Sequence, residues 1–128
     1  MMSEEITIIL PLPNKVLQPN FTIGSFGGRM MKAAAAKKYR RLAREAIEAE
    51  QLETLPWKKI FVQATFHYKT RRRRDTDNAM GALKSAYDGI IESGLIPDDT
   101  PNYMKRKEPD FKLDKEFPRV ILTITRLE

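Results

Sequence analysis

Alternating apolar and polar residues predict three strands in this chain. Ile6–Leu10 alternates near the start, and every second residue of Ile60–Lys69 is apolar. Arg119–Leu127 repeats the pattern near the end. Successive side chains of a strand point to opposite faces, so each segment would bury one face against a core. Tyr103–Lys112 is a weaker candidate, and its Glu108-Pro109 pair restricts it to the edge of a sheet.

Helical periodicity predicts two main helices between these strands. Met31–Leu52 and Asn78–Ser93 carry apolar residues at steps of three and four, and Gly94 ends the second helix. Pro13–Arg29 is rich in proline, glycine and asparagine, which is typical of a loop. Its Gly24–Arg29 segment lacks the Gly-Lys-Ser/Thr ending of a phosphate-binding loop. We therefore predict an α/β (α+β) fold, one domain over residues 1–128 with a small mixed sheet packed against two helices.

Charge and composition limit the chemistry. The chain has 23 Lys+Arg against 17 Asp+Glu, a net charge of +6 that favours a polyanionic partner. With no cysteine and one histidine, disulfides, thiolate zinc sites and paired-histidine metal motifs are excluded. Any metal site must use oxygen ligands, which suits Mg²⁺ or Mn²⁺. With no long apolar run and no basic signal-like start, we expect a cytoplasmic protein that does not contact a membrane.

The most informative stretch is Arg71–Asp99, where four arginines directly precede an Asp-x-Asp-Asn sequence. Asp75 and Asp77 would point to the same side of an extended chain and could hold one divalent cation. An aspartate at the start of a helix is also an ordinary N-cap, so this pair has a purely structural interpretation.

Asp98 and Asp99 follow the second predicted helix. If the chain turns back after Gly94, these two carboxylates would join the first pair as metal ligands. Such a cluster is costly unless a cation neutralises it. The alternative is that Pro97–Pro101 is simply a turn, whose composition it has.

Helix geometry aligns Asp77, Gly81, Lys84 and Asp88 on one polar line. Lys84 on that line could stabilise charge that develops on a phosphate oxygen. Its structural alternative is an i,i+4 salt bridge with Asp88. Gly81 would leave room for a backbone or a substrate to approach.

Two groups of basic residues are candidates for DNA binding. Next to the carboxylates, Arg71–Arg74 would clamp a phosphodiester, and Asn78 lies beside them. On the first helix Lys37, Arg41 and Arg44 share one face, either as a phosphate-contacting stripe or as a solvated face of i,i+4 ion pairs. The single histidine, His67, is interpreted as structural or exposed rather than as a ligand.

Taken together, these residues resemble the RusA-type Holliday junction resolvases, small phage and prophage endodeoxyribonucleases. The shared order is Arg-Asp-x-Asp-Asn, then Lys, Asp-Gly-Ile, a glycine and a closing Asp-Asp. The prototype has a shorter interval before the lysine, so matching Lys84 requires about three inserted residues, almost one helical turn. The residues that carry the resemblance are Arg74, Asp75, Asp77, Asn78, Lys84, Asp88, Gly94, Asp98 and Asp99.

The resemblance implies a magnesium-dependent homodimer, with Mn²⁺ as a possible substitute, that resolves four-way DNA junctions by paired symmetric nicks in recombination and repair. It implies metal-binding and catalytic roles for Asp75, Asp77 and Asp99, and a catalytic role for Lys84. Two other hypotheses remain open. One is a non-catalytic basic module that binds branched or duplex DNA, and the other is a nuclease acting on flaps or RNA.

Overall fold

The computed structural model describes residues 4–21 and 24–128. A short 3₁₀ turn, Lys15–Leu17, precedes the first long helix. Among the described residues, no helix combines the length and apolar character needed to cross a membrane. The main elements are strands β1 (Glu5–Leu10), β2 (Ile60–Tyr68), β3 (Met104–Arg106), β4 (Asp110–Leu113) and β5 (Arg119–Arg126), and helices α1 (Phe26–Glu48), α2 (Thr76–Ala82) and α3 (Lys84–Glu92).

The five strands form one mixed sheet. β5 lies between β1 and β2 and pairs antiparallel with both. The other edge of β2 pairs in parallel with β3 and then with β4. The interruption between these two short strands contains the Glu108-Pro109 pair, as expected for an edge that proline breaks. The mixed sheet and the α+β class predicted from the sequence are therefore confirmed.

Alternate residues of the three long strands face a single core. The buried positions include Ile8, Phe66 and Leu122, and the alternate residues before and after them along each strand are buried as well, except the half-buried Tyr68. Tyr39 of α1 joins the same core and donates a hydrogen bond from its hydroxyl to the Pro11 carbonyl at 2.8 Å. Burial raises the pKa of Tyr39, which keeps this donor protonated. His67 lies on the less buried face of β2, where desolvation lowers its pKa.

Helix α1 begins earlier than its periodicity predicts. The Ser25 side chain accepts a hydrogen bond from the Gly28 amide at 3.1 Å and caps the helix, so Phe26–Arg29 is helical rather than part of a loop. The helix ends at Glu48, before the predicted Leu52. The loop prediction for this segment was wrong because it relied on the glycine content and did not take account of the Ser25 cap.

The second predicted helix is two helices, separated at Leu83. This residue is fully buried, and its amide donates to the Met80 carbonyl at 3.1 Å, a tight i→i−3 turn. Gly94, with φ of +88°, follows the end of α3 and ends the segment as predicted. The break means that α2 and α3 do not share one continuous polar line.

Helices α1 and α3 cross at Gly89. A Cβ atom at this position would overlap the carbonyl oxygen of Arg40 and contact Ala43, so only glycine permits the observed approach. The close crossing brings the acidic end of α3 beside the arginines of α1.

Candidate functional site

Strand β2 leads directly into the predicted site. The chain leaves the sheet after Tyr68, passes through Arg71–Arg74 and enters α2 at Asp75. Asp75 Oδ1 accepts a hydrogen bond from the Asn78 amide at 3.0 Å, so this carboxylate is the N-cap of the helix. Asp77 lies in the first helical turn and is exposed. The N-cap interpretation of Asp75 is therefore confirmed, and the cap holds its carboxylate beside the arginines.

Asn78 connects this helix to the segment before α1. Its Oδ1 accepts a hydrogen bond from the Asn20 amide at 3.2 Å. Pro19 packs against Gly81, where a Cβ atom would overlap its ring. The space that Gly81 leaves is therefore filled by a proline of the same chain and not held open for a substrate.

A cavity of about 270 Å³ joins these residues to the arginines. Its lining brings one candidate metal ligand and several candidate DNA-binding residues together. The lining residues are Gln18, Asn20, Tyr68, Arg72, Arg73, Arg74, Asp75, Asn78 and Ala79.

Arg74 is the most constrained of the four arginines. Its guanidinium carbon lies 3.6 Å from the centre of the Tyr68 ring, a close cation–π contact. One terminal nitrogen donates to the Thr70 carbonyl at 3.1 Å, while the buried Nε has no hydrogen-bond partner. The two terminal nitrogens of this guanidinium, and not the buried Nε, are the donors that an incoming acceptor can use.

The other three arginines of this loop, Arg71–Arg73, are exposed. Across residues 4–21 and 24–128, no ion pair involves any of the four. The loop therefore presents uncompensated positive charge beside the Asp75 carboxylate.

The closing acidic pair precedes a hydrogen-bonded turn, in which the Tyr103 amide donates to the Thr100 carbonyl at 2.8 Å. Asp98 Oδ1 accepts a hydrogen bond from the Asp99 amide at 2.7 Å, and neither aspartate lies within that turn. Arg106 donates to the Asp99 carbonyl at 3.3 Å and lies 4.8 Å from the centre of the Tyr87 ring, which attaches this segment to α3. Burial raises the pKa of Tyr87 to about 12.

The four candidate metal ligands do not converge in this arrangement. Within the described parts of the chain, no group of three or more acidic or histidine side chains is placed to hold one metal ion. Asp75 belongs to the cavity beside the arginines, whereas Asp98 and Asp99 lie outside its lining. The structure thus brings Asp75 together with Asn78 and Arg74 in one cavity, whose lining does not include the closing pair.

Lys84 adopts the structural alternative that its spacing allows. Its Nζ lies 4.0 Å from Asp88 Oδ1, and its side chain is 74% exposed. Because α2 ends at Ala82 and Lys84 begins α3, the predicted line from Asp77 to Lys84 is interrupted at Leu83.

The arginines of α1 are paired with acids. Arg41 lies 3.8 Å from Glu45, and Arg44 lies 3.3 Å from Glu48, both at i,i+4 spacing. Glu92 of α3 adds a contact to Arg44 at 3.6 Å, and it also pairs with Arg40 at 3.1 Å. Lys37 is exposed and lines a groove together with these arginines. The ion-paired interpretation of this face is therefore confirmed for Arg41 and Arg44, whereas none of the described ion pairs includes Lys37.

Sequence reasoning does not identify Tyr68 or Gln18 as part of the site. The alternation of β2 places Tyr68 on the buried face, where it is half-buried. Arg74 contacts its ring from the irregular loop that follows the strand. Such a contact has no signature in the spacing of residues.

Comparison with known proteins identifies the family of this chain. No individual curated protein matches the chain significantly. A protein-family model described as Endodeoxyribonuclease RusA matches residues 13–125, a range that includes the arginine loop, α2, α3 and the Asp98-Asp99 pair. The chain therefore belongs to the RusA endodeoxyribonuclease family.

Proposed function

We propose that this protein is a divalent-metal-dependent endonuclease that resolves four-way DNA junctions, acting as a homodimer in recombination and repair. One observation carries the proposal: the Asp75 carboxylate lines the same cavity as Arg72–Arg74, which have no acidic partner among the described residues. Carboxylates beside unpaired guanidinium groups suit a phosphodiester that is bound and then hydrolysed. Membership of the family supports the same reaction.

The carboxylates suit a hard cation whose coordination is completed by the substrate. Mg²⁺ usually keeps several waters and takes one or two protein carboxylates together with phosphate oxygens, so a site does not need three protein acids. Asp75 and Asp77 would hold the ion, and Mn²⁺ would substitute for it. Asp98 and Asp99 are further ligands that the family resemblance implies. When bound, the cation would polarise a phosphate oxygen and lower the pKa of a bound water.

The chain's own side chains would bind and orient the DNA strand. Arg74 would contact a phosphate oxygen through its terminal guanidinium nitrogens while Tyr68 holds the guanidinium in place. Asn78 has its side-chain amide group available to donate, since its oxygen already accepts from Asn20. Lys84 is exposed and would exchange the weak contact with Asp88 for charge on the phosphate.

A homodimer would suit the substrate. A two-fold axis relating two copies matches the two-fold symmetry of an open four-way junction and directs one site to each of two opposed strands. Paired cuts at symmetric positions would follow from that arrangement.

The decisive experiment compares Asp77→Asn with wild type on a labelled four-way junction and on linear duplex of the same sequence, with Mg²⁺, with Mn²⁺ and with EDTA. We expect paired nicks in the junction alone, which EDTA abolishes and Asp77→Asn reduces at least 100-fold. The matched control is Asp110→Asn, an exposed aspartate on β4 outside the cavity, which should cut like wild type. Equal cutting by Asp77→Asn and wild type would refute the assignment.

A non-catalytic DNA-binding module is the second candidate. It is favoured by the absence of a three-ligand group among residues 4–21 and 24–128 and by the capping role of Asp75. It predicts tight junction binding without a nick in either metal. Adding flap and RNA substrates to the same assay separates a junction resolvase from a nuclease with another substrate.

A further inference from the structure

A second cavity adjoins the site where β2 and β4 end. It has a volume of about 410 Å³, within the range of about 300–1,000 Å³ that small-molecule sites occupy. Tyr68, Arg72 and Arg74 belong to its walls and also to those of the cavity that contains Asp75. The two cavities are therefore neighbours that share one wall.

One side of this second cavity is aromatic and apolar. The rings of Tyr68 and Phe111 lie with their centres 6.0 Å apart, and both contact the buried Phe66. Leu113 completes this side, and it is 45% exposed although it is a large apolar residue. These side chains offer a surface on which a flat ring could stack.

The other side is cationic. Arg71, Arg72, Arg74 and Lys112 line the cavity, and no acidic residue belongs to its described lining. The Arg74 guanidinium lies close over the Tyr68 ring, at 3.6 Å, and extends the stacking surface with a planar cation. A ligand for this cavity must therefore combine a flat apolar part with negative charge.

We propose that this cavity binds one unstacked nucleotide of the DNA strand that occupies the neighbouring Asp75 site. The base would stack against Phe111, Leu113 and the Arg74–Tyr68 pair, and its phosphate would contact the surrounding cations. The inference rests on the proposed function for the identity of the ligand as DNA. Such a cavity would favour binding to branched DNA, because unstacking a base at a branch point costs less free energy than unstacking one inside a duplex.

The chemistry of the lining argues against simpler occupants. A phosphate group alone would not use the aromatic side or the exposed Leu113. An apolar peptide would leave four cations facing it without partners. A nucleotide uses both sides at once.

The experiment measures affinity for two labelled duplexes that differ by one unpaired nucleotide, by fluorescence anisotropy in EDTA at one fixed salt concentration. Wild type should bind the bulged duplex about ten-fold more tightly than the paired one, as expected for one base stacked on a protein surface. Leu113→Ala and Phe111→Leu should bring this ratio close to one. The matched control is Leu127→Ala, since Leu127 is 46% exposed and lies outside the cavity.

Three results would overturn the inference. The first is equal affinity of wild type for both duplexes. The second is that both cavity variants keep the wild-type preference for the bulged duplex. The third is that this preference persists when the bulged nucleotide lacks its base. Because EDTA is present throughout, the assay does not depend on cleavage. A protein that shows the base-dependent ratio but never cuts a junction would refute the proposed catalysis and leave this inference standing. A protein that cuts the junction but binds both duplexes equally would refute this inference and leave the proposed catalysis standing.

Discussion

Helix α1 and the loop after β2 both carry closely spaced arginines, but their surroundings differ. On α1, Arg41 and Arg44 lie near Glu45 and Glu48 one turn ahead, and α3 contributes Glu92. In the loop, Arg71–Arg74 have no acidic partner within the parts of the chain that the structure describes.

The contrast shows that arginine content alone does not identify a DNA-binding surface. A guanidinium that already contacts a carboxylate must release it before it gains a phosphate, and an exposed pair is worth about 0–1 kcal/mol. An unpaired guanidinium held on an aromatic ring has no carboxylate to release and is already oriented. We therefore expect the loop to contribute most of the DNA-binding energy and α1 to contribute little.

The largest expected difference is between Arg74→Ala and Arg44→Ala. Removing Arg74 should weaken junction binding by about 1.5–3 kcal/mol, more than ten-fold, because the variant cannot form a charge-assisted hydrogen bond to the phosphate. Removing Arg44 should cost less than about 1 kcal/mol, since its pairs with Glu48 and Glu92 already satisfy it. Dissociation constants measured by gel retardation in EDTA provide the test.

A second substitution separates the charge of Arg74 from its shape. Arg74→Lys keeps the positive charge but loses the planar group stacked on Tyr68, so it should recover only part of the affinity. Thermal unfolding of each variant checks that the fold is intact. Equal losses for Arg74→Ala and Arg44→Ala would contradict the contrast between the two surfaces.

A smaller effect is expected in the salt dependence of binding. The slope of log affinity against log salt falls by about 0.9 for each DNA phosphate that the protein no longer neutralises. The double variant Arg71→Gln and Arg72→Gln should therefore reduce the slope by nearly two. The matched double variant Arg41→Gln and Arg44→Gln should leave it almost unchanged. A larger change for the α1 pair would mean that the helix, not the loop, follows the phosphate backbone.

The smallest effect comes from releasing the α1 arginines. Glu92→Gln removes the shared partner of Arg40 and Arg44 and should raise junction affinity by less than about five-fold, with a loss of stability below about 1 kcal/mol. Glu53→Gln removes the same charge from an exposed position that none of the described ion pairs includes. An equal rise in both variants would indicate net charge rather than release of the two arginines. Affinity by anisotropy and stability by urea unfolding measure the two quantities.

Local patterns predict most of the secondary structure. The three alternating segments correspond to β1, β2 and β5 within one or two residues at each end, because burial of one strand face imposes a period of two. The ends of helices are less predictable. Composition assigns Phe26–Arg29 to a loop although Ser25 caps it, and the break at Leu83 interrupts a stripe that continues smoothly in the sequence.

The candidate site is predictable in its composition but not in its arrangement. Asp75 and the arginines are adjacent along the chain, so their proximity requires no knowledge of the fold. The convergence of Asp98 and Asp99 with Asp75 depends on how the chain returns after Gly94, and the described residues do not bring three acids together. The assignment of these aspartates to a metal stays a prediction.

Short-range order along the chain determined the strands, the N-cap at Asp75, the i,i+4 pairs of α1 and the basic loop beside an acid, since each depends on residues within a few positions of one another. Packing of distant segments decided the rest. It brought Glu92 of α3 beside Arg40 of α1 through the crossing at Gly89. It also filled the space at Gly81 with Pro19 and brought Phe111 of β4 beside Tyr68 of β2. These contacts arise from burying a shared core, which joins segments far apart in sequence and leaves no periodic trace in the residues that touch.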